Sequence, residues 1–317
     1  MASFEQKVLP NGWTLNVSDH VEVFSTGAID QALALLKEWR GIYPKGDTLV
    51  GRDYGSPSLI VRLDCVVDPE EKLHLFEVEE RPCGIGVAKV LVPQFESRLS
   101  EMLGMWPEFR WVSSPHRVTD DALALGEGLS LEQAFRHAGA LLVRSRPEDR
   151  DYHPLEHRAI SSVRHEGDKH YGERMNLWRR IEWLIDPSEQ AGGYVSPPLD
   201  RSCVLRPLRG TRCNMVAVYL HDAAKEAPLY GVKRNERLSP GEVESRLRRS
   251  GPAFAQPLIM PTRRDVLGAR NMIYRMFFGL NTRSGEFEPM GGMWMARESL
   301  LVHGQNDAVV GALVFDG

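Results

Sequence analysis

The sequence predicts an α+β fold in which antiparallel β-hairpins are combined with a few amphipathic helices. The clearest hairpin signal is the alternation of apolar and polar residues through 58–67 and through 73–79, on either side of a Pro- and charge-rich turn. Leucines and a tryptophan recur at helical spacing within 27–40, and a glycine follows them. Ser239 with Glu242 forms a capping box that begins another helix. Strand and helix signals thus occur side by side.

Further strands are predicted in the C-terminal part of the chain. Two runs of strand-like residues, 203–208 and 215–220, are joined by a short loop rich in arginine. A strand at 272–280 is followed by a polar turn at 282–285 and then by a Gly- and Met-rich run at 289–297.

The remaining segments give weaker local signals. Helices are predicted at 94–104, from 130 to 137 and at 175–185, where apolar residues recur at helical spacing or a capping residue begins the segment. A short strand is predicted at 108–112. Periodicity leaves 140–144 open between a buried strand and the end of a helix.

The chain divides into three predicted segments. A Gly- and Pro-rich stretch at 191–198 is the best candidate for a flexible linker. We therefore predict an N-terminal lobe with the first hairpin at 1–110, a middle segment at 111–190, and a second lobe with a closing segment at 191–317.

Composition limits the classes of function. The 317 residues carry a formal net charge of −4, which gives no electrostatic support for binding nucleic acid. No segment approaches the roughly 18 consecutive apolar residues that a membrane helix needs, and the N-terminus has no secretory pattern. The four cysteines show no CxxC pairing, which favours reduced thiols, buried where they lie in strands. We expect a cytoplasmic protein that does not bind membranes.

One face of the first hairpin is predicted to carry a group of charged side chains. Arg62 and Asp64 on its first strand, and Glu77 and Glu79 on its second, can point to the same side, because residues two apart share a face. Three carboxylates on one face repel one another unless a cation lies between them. Oxygen ligands of this kind suit Mg²⁺, which commonly also binds substrate phosphates. The alternative is a solvated sheet face with an Arg–Asp pair.

Two other segments are candidates for binding phosphate. The segment 206–212, from the end of the strand at 203–208 into the following loop, contains a glycine, a hydroxyl group and three arginines, namely Arg206, Arg209, Gly210, Thr211 and Arg212. Backbone N–H groups and guanidinium groups suit phosphate oxygens, although no P-loop motif occurs in the chain. The alternative is a basic hairpin turn. Arg297 follows an apolar run, so if it is buried it needs an anionic partner, either a phosphate or a carboxylate of the protein.

Taken in order, these pieces resemble the synthetase domain of glutathionylspermidine synthases, an ATP-grasp family. The resemblance extends over residues 58 to 300. The matching pieces are Arg62 and Asp64, Glu77 and Glu79 with Pro82, Lys169 before Leu177–Trp178, Arg206–Pro207 with Gly210, Gln256–Pro257, and Gly292–Met293–Trp294 with Arg297. The family's amidase domain has no counterpart here. Glu79 stands where the family has Asn, and Arg206 stands where it has Lys.

The resemblance implies an ATP-grasp-like fold, with the nucleotide held between two sheet-bearing lobes. It implies that Mg²⁺ is held by Asp64, Glu77 and Glu79, that Arg62 contacts the transferred phosphate or the acyl phosphate, and that Arg297 faces phosphate. It further implies that the nucleotide is bound by Lys169, the loop from Arg206 to Arg212, and Gln256.

The function that this resemblance implies is ATP-dependent ligation of a small-molecule carboxylate to an amine, through an acyl phosphate. The arginine-rich segments would accommodate the carboxylate of an amino acid or peptide. Two alternatives stay open: a small-molecule kinase of the same fold, and a nucleotide-binding module without turnover. The identity of both substrates and the oligomeric state have no signal in the sequence.

Overall fold

The structure is a computed structural model. It describes residues 4–8, 14–42, 60–79, 82, 84–105, 110–112, 141–142, 160–161, 182–185, 194–195, 200–207, 216–221, 229–231, 237–260, 263–264, 270–281, 283–298, 302 and 307–316.

Strands dominate the part of the chain that is described. They are β1 Phe4–Val8, β2 Thr14–Ser18, β3 Glu22–Phe24, β4 Ile60–Val67, β5 Leu73–Glu79, β6 Arg110–Val112, β7 Leu141–Leu142, β8 Ile160–Ser161, β9 Glu182–Ile185, β10 Cys203–Pro207, β11 Ala217–Tyr219, β12 Leu229–Gly231, β13 Arg237–Leu238, β14 Ala253–Pro257, β15 Arg263–Arg264, β16 Arg270–Leu280, β17 Phe287–Arg297 and β18 Val309–Phe315. The helices are α1 Thr26–Ile42, α2 Ile85–Leu91, α3 Pro93–Met105 and α4 Pro240–Ser250. This mixed architecture of sheets and few helices agrees with the predicted α+β class.

The larger sheet contains nine strands within the described ranges. Seven of them follow the order β1-β2-β18-β17-β16-β4-β5, while β3 also pairs with β18 and β15 with β16. The pairing is antiparallel except where β18 meets β2 and β3. The predicted hairpin is confirmed as β4 and β5, and the C-terminal run forms a long hairpin of β16 and β17. Strands from residues 1–110 and from residues 191–317 therefore share this sheet.

Each face of the large sheet is covered by apolar side chains. On one face α1 contributes Ala32 and Leu36 to a cluster that includes Trp294 and Tyr274. On the other face α2 and α3 supply the apolar cover near Phe277. A second cluster on that face, centred on Ile273 and Met295, includes residues of β2, β4 and β18. Successive residues of β16 thus contribute buried side chains to the two faces of the sheet in turn.

A second sheet contains six strands in the order β13-β12-β11-β10-β14-β9. It packs with α4 around its own apolar cluster, which includes Val243 and Leu247 of that helix. The predicted start of α4 is confirmed, because Ser239 caps the helix and Glu242 completes the capping box. A small parallel sheet of β7, β6 and β8 is also present.

Local predictions were mostly right where the structure describes them. The helices predicted at 27–40 and 94–104 correspond to α1 and α3, and the strand at 108–112 corresponds to β6. The open choice at 140–144 resolves as a strand, β7. The helix predicted from 130 lies outside the described residues.

One helix prediction was wrong and one helix was not predicted. The described end of the helix proposed at 175–185 is strand β9, because Leu184 and Ile185 are buried in the six-stranded sheet and Trp183 packs edge-on against Phe254 of β14. Pairing with β14 determines the structure of these four residues, because a helical spacing of apolar residues is a weak signal over so short a segment. Conversely, α2 begins directly after Gly84, whose φ of 92° lets the chain turn into the helix.

Residues near the predicted linker are packed rather than free where they are described. The ring of Tyr194 packs against the apolar cluster of the six-stranded sheet, and the N–H of Val195 donates to the carbonyl of Leu184 at 2.8 Å. No helix in the described ranges is long and apolar enough to cross a membrane.

Candidate functional site

Five charged side chains form a row across three neighbouring strands of the large sheet. We call this set the charged row: Arg62 and Asp64 on β4, Glu77 and Glu79 on β5, and Arg275 on β16. In the register of the sheet Arg62 lies opposite Glu79, and Asp64 lies between Glu77 on one side and Arg275 on the other. Residues directly opposite one another share a face. The predicted juxtaposition of the four hairpin charges is therefore present, with Arg275 added to it.

Arg62 connects the carboxylates of this row. Its Nε donates to Oδ1 of Asp64 at 2.5 Å, and its Nη2 donates to Oδ2 at 2.8 Å. The same Nη2 lies 3.0 Å from Oε2 of Glu79. This is the bidentate geometry in which a guanidinium binds a carboxylate most strongly. On the far side of Asp64, Nε of Arg275 lies 3.6 Å from Oδ2.

The row is deeply buried, but not evenly. Arg62 is 1% exposed, Asp64 2% and Glu79 8%. Glu77 and Arg275, the two neighbours of Asp64, are partly exposed. Taking each ion out of water costs several kcal/mol, which pairing within the row offsets only in part. Burial of these charges therefore costs free energy at this position.

Apolar side chains border the charged row along the strands. Phe277, two residues beyond Arg275 on β16, belongs to the cluster under α2 and α3. Ile273, two residues before Arg275, belongs to the second cluster on this face. The row is a charged strip between two apolar clusters, and it is partly open where Glu77 and Arg275 lie.

The cation that the resemblance assigns to the carboxylates of the charged row is Mg²⁺. These carboxylates offer oxygen ligands only, and Mg²⁺ is commonly held by one or two protein carboxylates together with substrate phosphates and water. Asp64 and Glu79 contact the same guanidinium, so their carboxylates lie close together. Within the described ranges no three His, Cys, Asp or Glu side chains meet as a ready-made metal cage.

The residues predicted to bind nucleotide are only partly described. Arg206 on β10 and Gln256 on β14 lie in the six-stranded sheet, where Nη1 of Arg206 donates to Oε1 of Gln256 at 3.4 Å. Gln256 is 7% exposed. Lys169, Arg209, Gly210, Thr211 and Arg212 lie outside the described residues. The structure thus brings Arg206 and Gln256 together, in a different sheet from the charged row.

Arg297 lies on the same face as the charged row but is not part of it. It is opposite Asn271 in the register of β16 and β17. Asn271 precedes Arg275 by four residues, which is about 14 Å along a strand. Nε and Nη2 of Arg297 donate to Oδ2 of Asp307 at 3.0 and 2.8 Å. The sequence left a phosphate or a protein carboxylate as the partner of Arg297, and in the structure the partner is a protein carboxylate, that of Asp307.

Arg275 was not among the predicted site residues. The sequence does carry a signal for it, since Arg275 is the single charged residue within the apolar run 272–280. A charge within a buried strand needs a partner. That the partner is Asp64 follows only once β16 is known to lie beside β4.

A second buried carboxylate lies on the opposite face of the sheet. Glu22 is 6% exposed, and its Oε1 lies 2.7 Å from Nε2 of His20. The hydroxyl of Tyr274 lies 3.5 Å from Oε2 of the same residue. Tyr274 directly precedes Arg275 on β16, so its side chain points to the other face. Glu22 is therefore a buried carboxylate comparable to Asp64 but separated from the charged row by the sheet.

The described thiols are buried, and the one at Cys203 is a poor nucleophile. Cys65 and Cys203 are both fully buried free cysteines on strands, as predicted. Burial raises the pKa of the Cys203 thiol to about 12. The reactive thiolate form of Cys203 is accordingly scarce at neutral pH.

Comparison with known proteins assigns no function to the site, which is therefore assessed from its geometry. No protein-family model matches the chain, and no curated protein matches it.

Proposed function

We propose that this protein binds Mg·ATP over the charged row and is an ATP-dependent ligase that joins a carboxylate to an amine. The observation that carries the proposal is the burial of Arg62, Asp64 and Glu79 beside the partly exposed Glu77 and Arg275. A sheet gains little stability from such a set, since apolar side chains of similar volume are often as stable or more so. Active sites are places where burial and neighbouring charges are arranged together, so a buried charged set with two partly exposed members is a candidate functional site.

The residues of the row have complementary tasks in this proposal. Asp64 and Glu79 would hold Mg²⁺, and the bound ion would neutralise charge on the phosphates. Arg62, between the two carboxylates, would keep them oriented and donate to an oxygen of the transferred phosphoryl group. The carboxylate substrate would take the terminal phosphoryl group of ATP and release ADP; the amine would then displace phosphate to form the amide.

The ligase chemistry and the ATP-grasp arrangement come from the resemblance, and two features are compatible with them. The chain has two larger sheets, as a nucleotide site between two sheet-bearing lobes requires. Arg206 and Gln256, which the resemblance assigns to the nucleotide, lie together in the second sheet. In this proposal they would contact the nucleotide while the charged row holds its phosphates.

The first test is thermal unfolding with and without Mg·ATP, on the wild type and on Asp64→Asn. A ligand at about 100 times its Kd adds about 2.7 kcal/mol to the free energy of unfolding, which raises Tm by a few degrees for a chain of this size. We expect this rise in the wild type, dependent on Mg²⁺, and its loss in Asp64→Asn. ADP formation with a suitable acid and amine should fall by roughly 10² or more.

Glu22→Gln is the matched control for this test. It neutralises another buried carboxylate, 6% exposed against 2% for Asp64, on the other face of the same sheet. It should lower Tm without ligand while leaving the increase caused by Mg·ATP unchanged. If the wild type shows no increase in Tm at millimolar Mg·ATP, the proposed nucleotide site is wrong.

A module that binds nucleotide without turnover is the second candidate, and one observation favours it. The described candidate residues are already paired within the protein: Arg62 with Asp64 and Glu79, Arg297 with Asp307, and Arg206 with Gln256. Saturable Mg·ATP binding with no ADP formed in any mixture of acids and amines would favour this candidate. A kinase would instead form ADP and a stable phosphoester, with no amide bond.

A further inference from the structure

Arg275 occupies a distinctive place beside the predicted metal ligands. It lies directly opposite Asp64 in the register of β4 and β16, while Glu77 lies opposite Asp64 on the other side. Asp64 therefore has a guanidinium on each side, with Arg62 hydrogen-bonded to both of its oxygens and Arg275 at 3.6 Å from Oδ2. Of the two guanidiniums beside Asp64, Arg275 is the one in looser contact with it.

The pattern of exposure shows where a ligand can approach. On β16 the residues 271–274 and 276–279 are all buried, whereas Arg275 is partly exposed. On β5 Glu77 is partly exposed as well, while Val78 and Glu79 are buried. These two accessible residues flank the buried Asp64. Solvent thus reaches the charged row at Glu77 and Arg275, on either side of Asp64 and between the two apolar clusters, while Asp64 itself is 2% exposed.

The charge of the row limits the class of ligand that can bind there. Two arginines and three carboxylates give a formal charge of −1, so a bare anion approaching Arg275 meets net repulsion from the carboxylates. An anion that arrives with a divalent cation does not, because the cation compensates the carboxylates while the guanidinium compensates the anion. Metal-complexed polyphosphates have this chemistry.

We propose that Arg275 is a polyphosphate-binding residue, which donates to phosphate oxygens of a metal-complexed polyphosphate that enters over Asp64. This inference rests on the proposed function and adds a residue and a ligand class to it. At 3.6 Å the contact between Arg275 and Asp64 is longer than a hydrogen bond. Binding of a cation by Asp64 would weaken that ion pair and let the guanidinium turn to the phosphate oxygens. Arg62, held by two hydrogen bonds and by Glu79, would keep its contacts with the carboxylates while it donates to the transferred phosphoryl group.

The test is calorimetric titration of wild type, Arg275→Lys and Arg275→Gln with two probes, Mg·ATP and magnesium tripolyphosphate. A lysine keeps the charge but loses the forked donor geometry of the guanidinium. We expect Kd for both probes to increase about tenfold or more in each variant, the scale of one charge-assisted hydrogen bond. If the wild type binds tripolyphosphate, the phosphates alone are sufficient for recognition of the ligand. If the wild type binds only Mg·ATP, and both variants bind it more weakly, the role of Arg275 is supported and the nucleoside is also required for binding.

Arg270→Lys is the control variant. Arg270 lies on the same strand, is mostly buried, and pairs with the exposed Glu298 at 3.7 Å. Its substitution should leave Kd for both probes unchanged. Tm without ligand is measured for all variants, and if Arg275→Gln is unfolded, the charge-conserving Arg275→Lys decides the question.

The outcomes separate this inference from the proposed function. If the wild type binds Mg·ATP and Arg275→Lys binds it equally well, the role of Arg275 is wrong while the nucleotide site stands. If Arg270→Lys weakens binding as much as Arg275→Lys, the effect is general and the assignment to Arg275 is wrong. If the wild type binds neither probe, the proposed function and the inference fail together.

Discussion

Asp68 shows how a single side chain organises the hairpin that carries the charged row. Its Oδ1 accepts hydrogen bonds from the N–H groups of Glu70 and Lys72, at 3.0 and 2.9 Å. Its Oδ2 lies 2.6 Å from Nε2 of His74 on β5. The carboxylate thus closes the turn between β4 and β5 and ties the turn to the second strand.

These contacts make hairpin stability depend on pH. The hydrogen bond with His74, followed by those with the turn backbone, lowers the pKa of Asp68 below its ordinary value of 3.8. The unfolded chain therefore binds more protons than the folded one between the two pKa values, and the free energy of unfolding rises with pH there. The stabilisation is fully present above the ordinary pKa and is lost as pH falls through the lowered one.

We predict that Asp68→Asn flattens the acid limb of the stability profile. The amide keeps the size of the side chain and an acceptor oxygen but cannot titrate. Urea unfolding at a series of pH values should show the wild type losing stability more steeply than the variant below pH 3.8. Glu70→Gln, at an exposed position of the same turn, serves as the control. Equal slopes for wild type and Asp68→Asn would refute the role of Asp68.

Predictability at the residue scale depended on how local the interaction is. The alternation in 58–67 and 73–79 predicts that Arg62 shares a face with Asp64, and Glu77 with Glu79. All four lie on one face because the register shifts by one residue between Asp64 and Cys65, a β-bulge that the alternation does not indicate. Arg275 joins them through pairing between strands far apart in sequence. Local pattern carries no information about such a pairing.

At the scale of elements, the hairpins and capped helices were predictable because their signals are local. The strand β9 was mistaken for the end of a helix because Leu184 and Ile185 have helical spacing with the apolar residues before them. Their burial against α4 and β10 in the six-stranded sheet decides the outcome. The helix α2 was missed because it is short and begins at a glycine that also suits a turn.

Gly311 illustrates how closely β17 and β18 pack. It lies opposite Trp294, and a Cβ at this position would come within 2.3 Å of the indole ring. Trp294 is fully buried, and its Nε1 donates to the carbonyl of His20 at 3.2 Å. The ring cannot shift without disturbing this bond and its apolar neighbours.

We predict that Gly311→Ala destabilises the protein by about 1–3 kcal/mol, the scale of overpacking in a core. Gly241→Ala is the matched control, because a Cβ there meets no atom within 4 Å and the residue lies in α4. Alanine at a helical position should be neutral or stabilising by up to about 1 kcal/mol. Urea unfolding of both variants measures the difference. Similar free energies for the two would mean that Trp294 can move away from β18 at little cost.

At the scale of the whole molecule, the order of strands was the least predictable feature. The large sheet brings β2 and β3 from the start of the chain beside β18 near its end, both in parallel pairing, with β1 at the edge next to β2. Periodicity indicates which faces are buried but not which strands are neighbours. The three segments drawn from composition and linker signals therefore carried no information about which strands share a sheet.

The two larger sheets have separate apolar clusters, which leads to a prediction about cooperativity. The cluster of the six-stranded sheet, with α4, shares no residue with those of the nine-stranded sheet. Regions with separate cores tend to open as separate cooperative units. Gly311→Ala should therefore speed hydrogen exchange in β16, β17 and β18 while leaving β10, β14 and α4 unchanged.

Exchange within the large sheet should also be graded. The middle strands β16 and β17 are buried on both faces and should exchange most slowly, whereas β1 is an edge strand with exposed side chains and should exchange fastest. Mass spectrometry of peptic fragments resolves these regions in wild type and variant. If Gly311→Ala accelerates exchange equally in both sheets, the protein unfolds as one unit, and Mg·ATP bound at the charged row would then protect the six-stranded sheet to the same extent as the nine-stranded one.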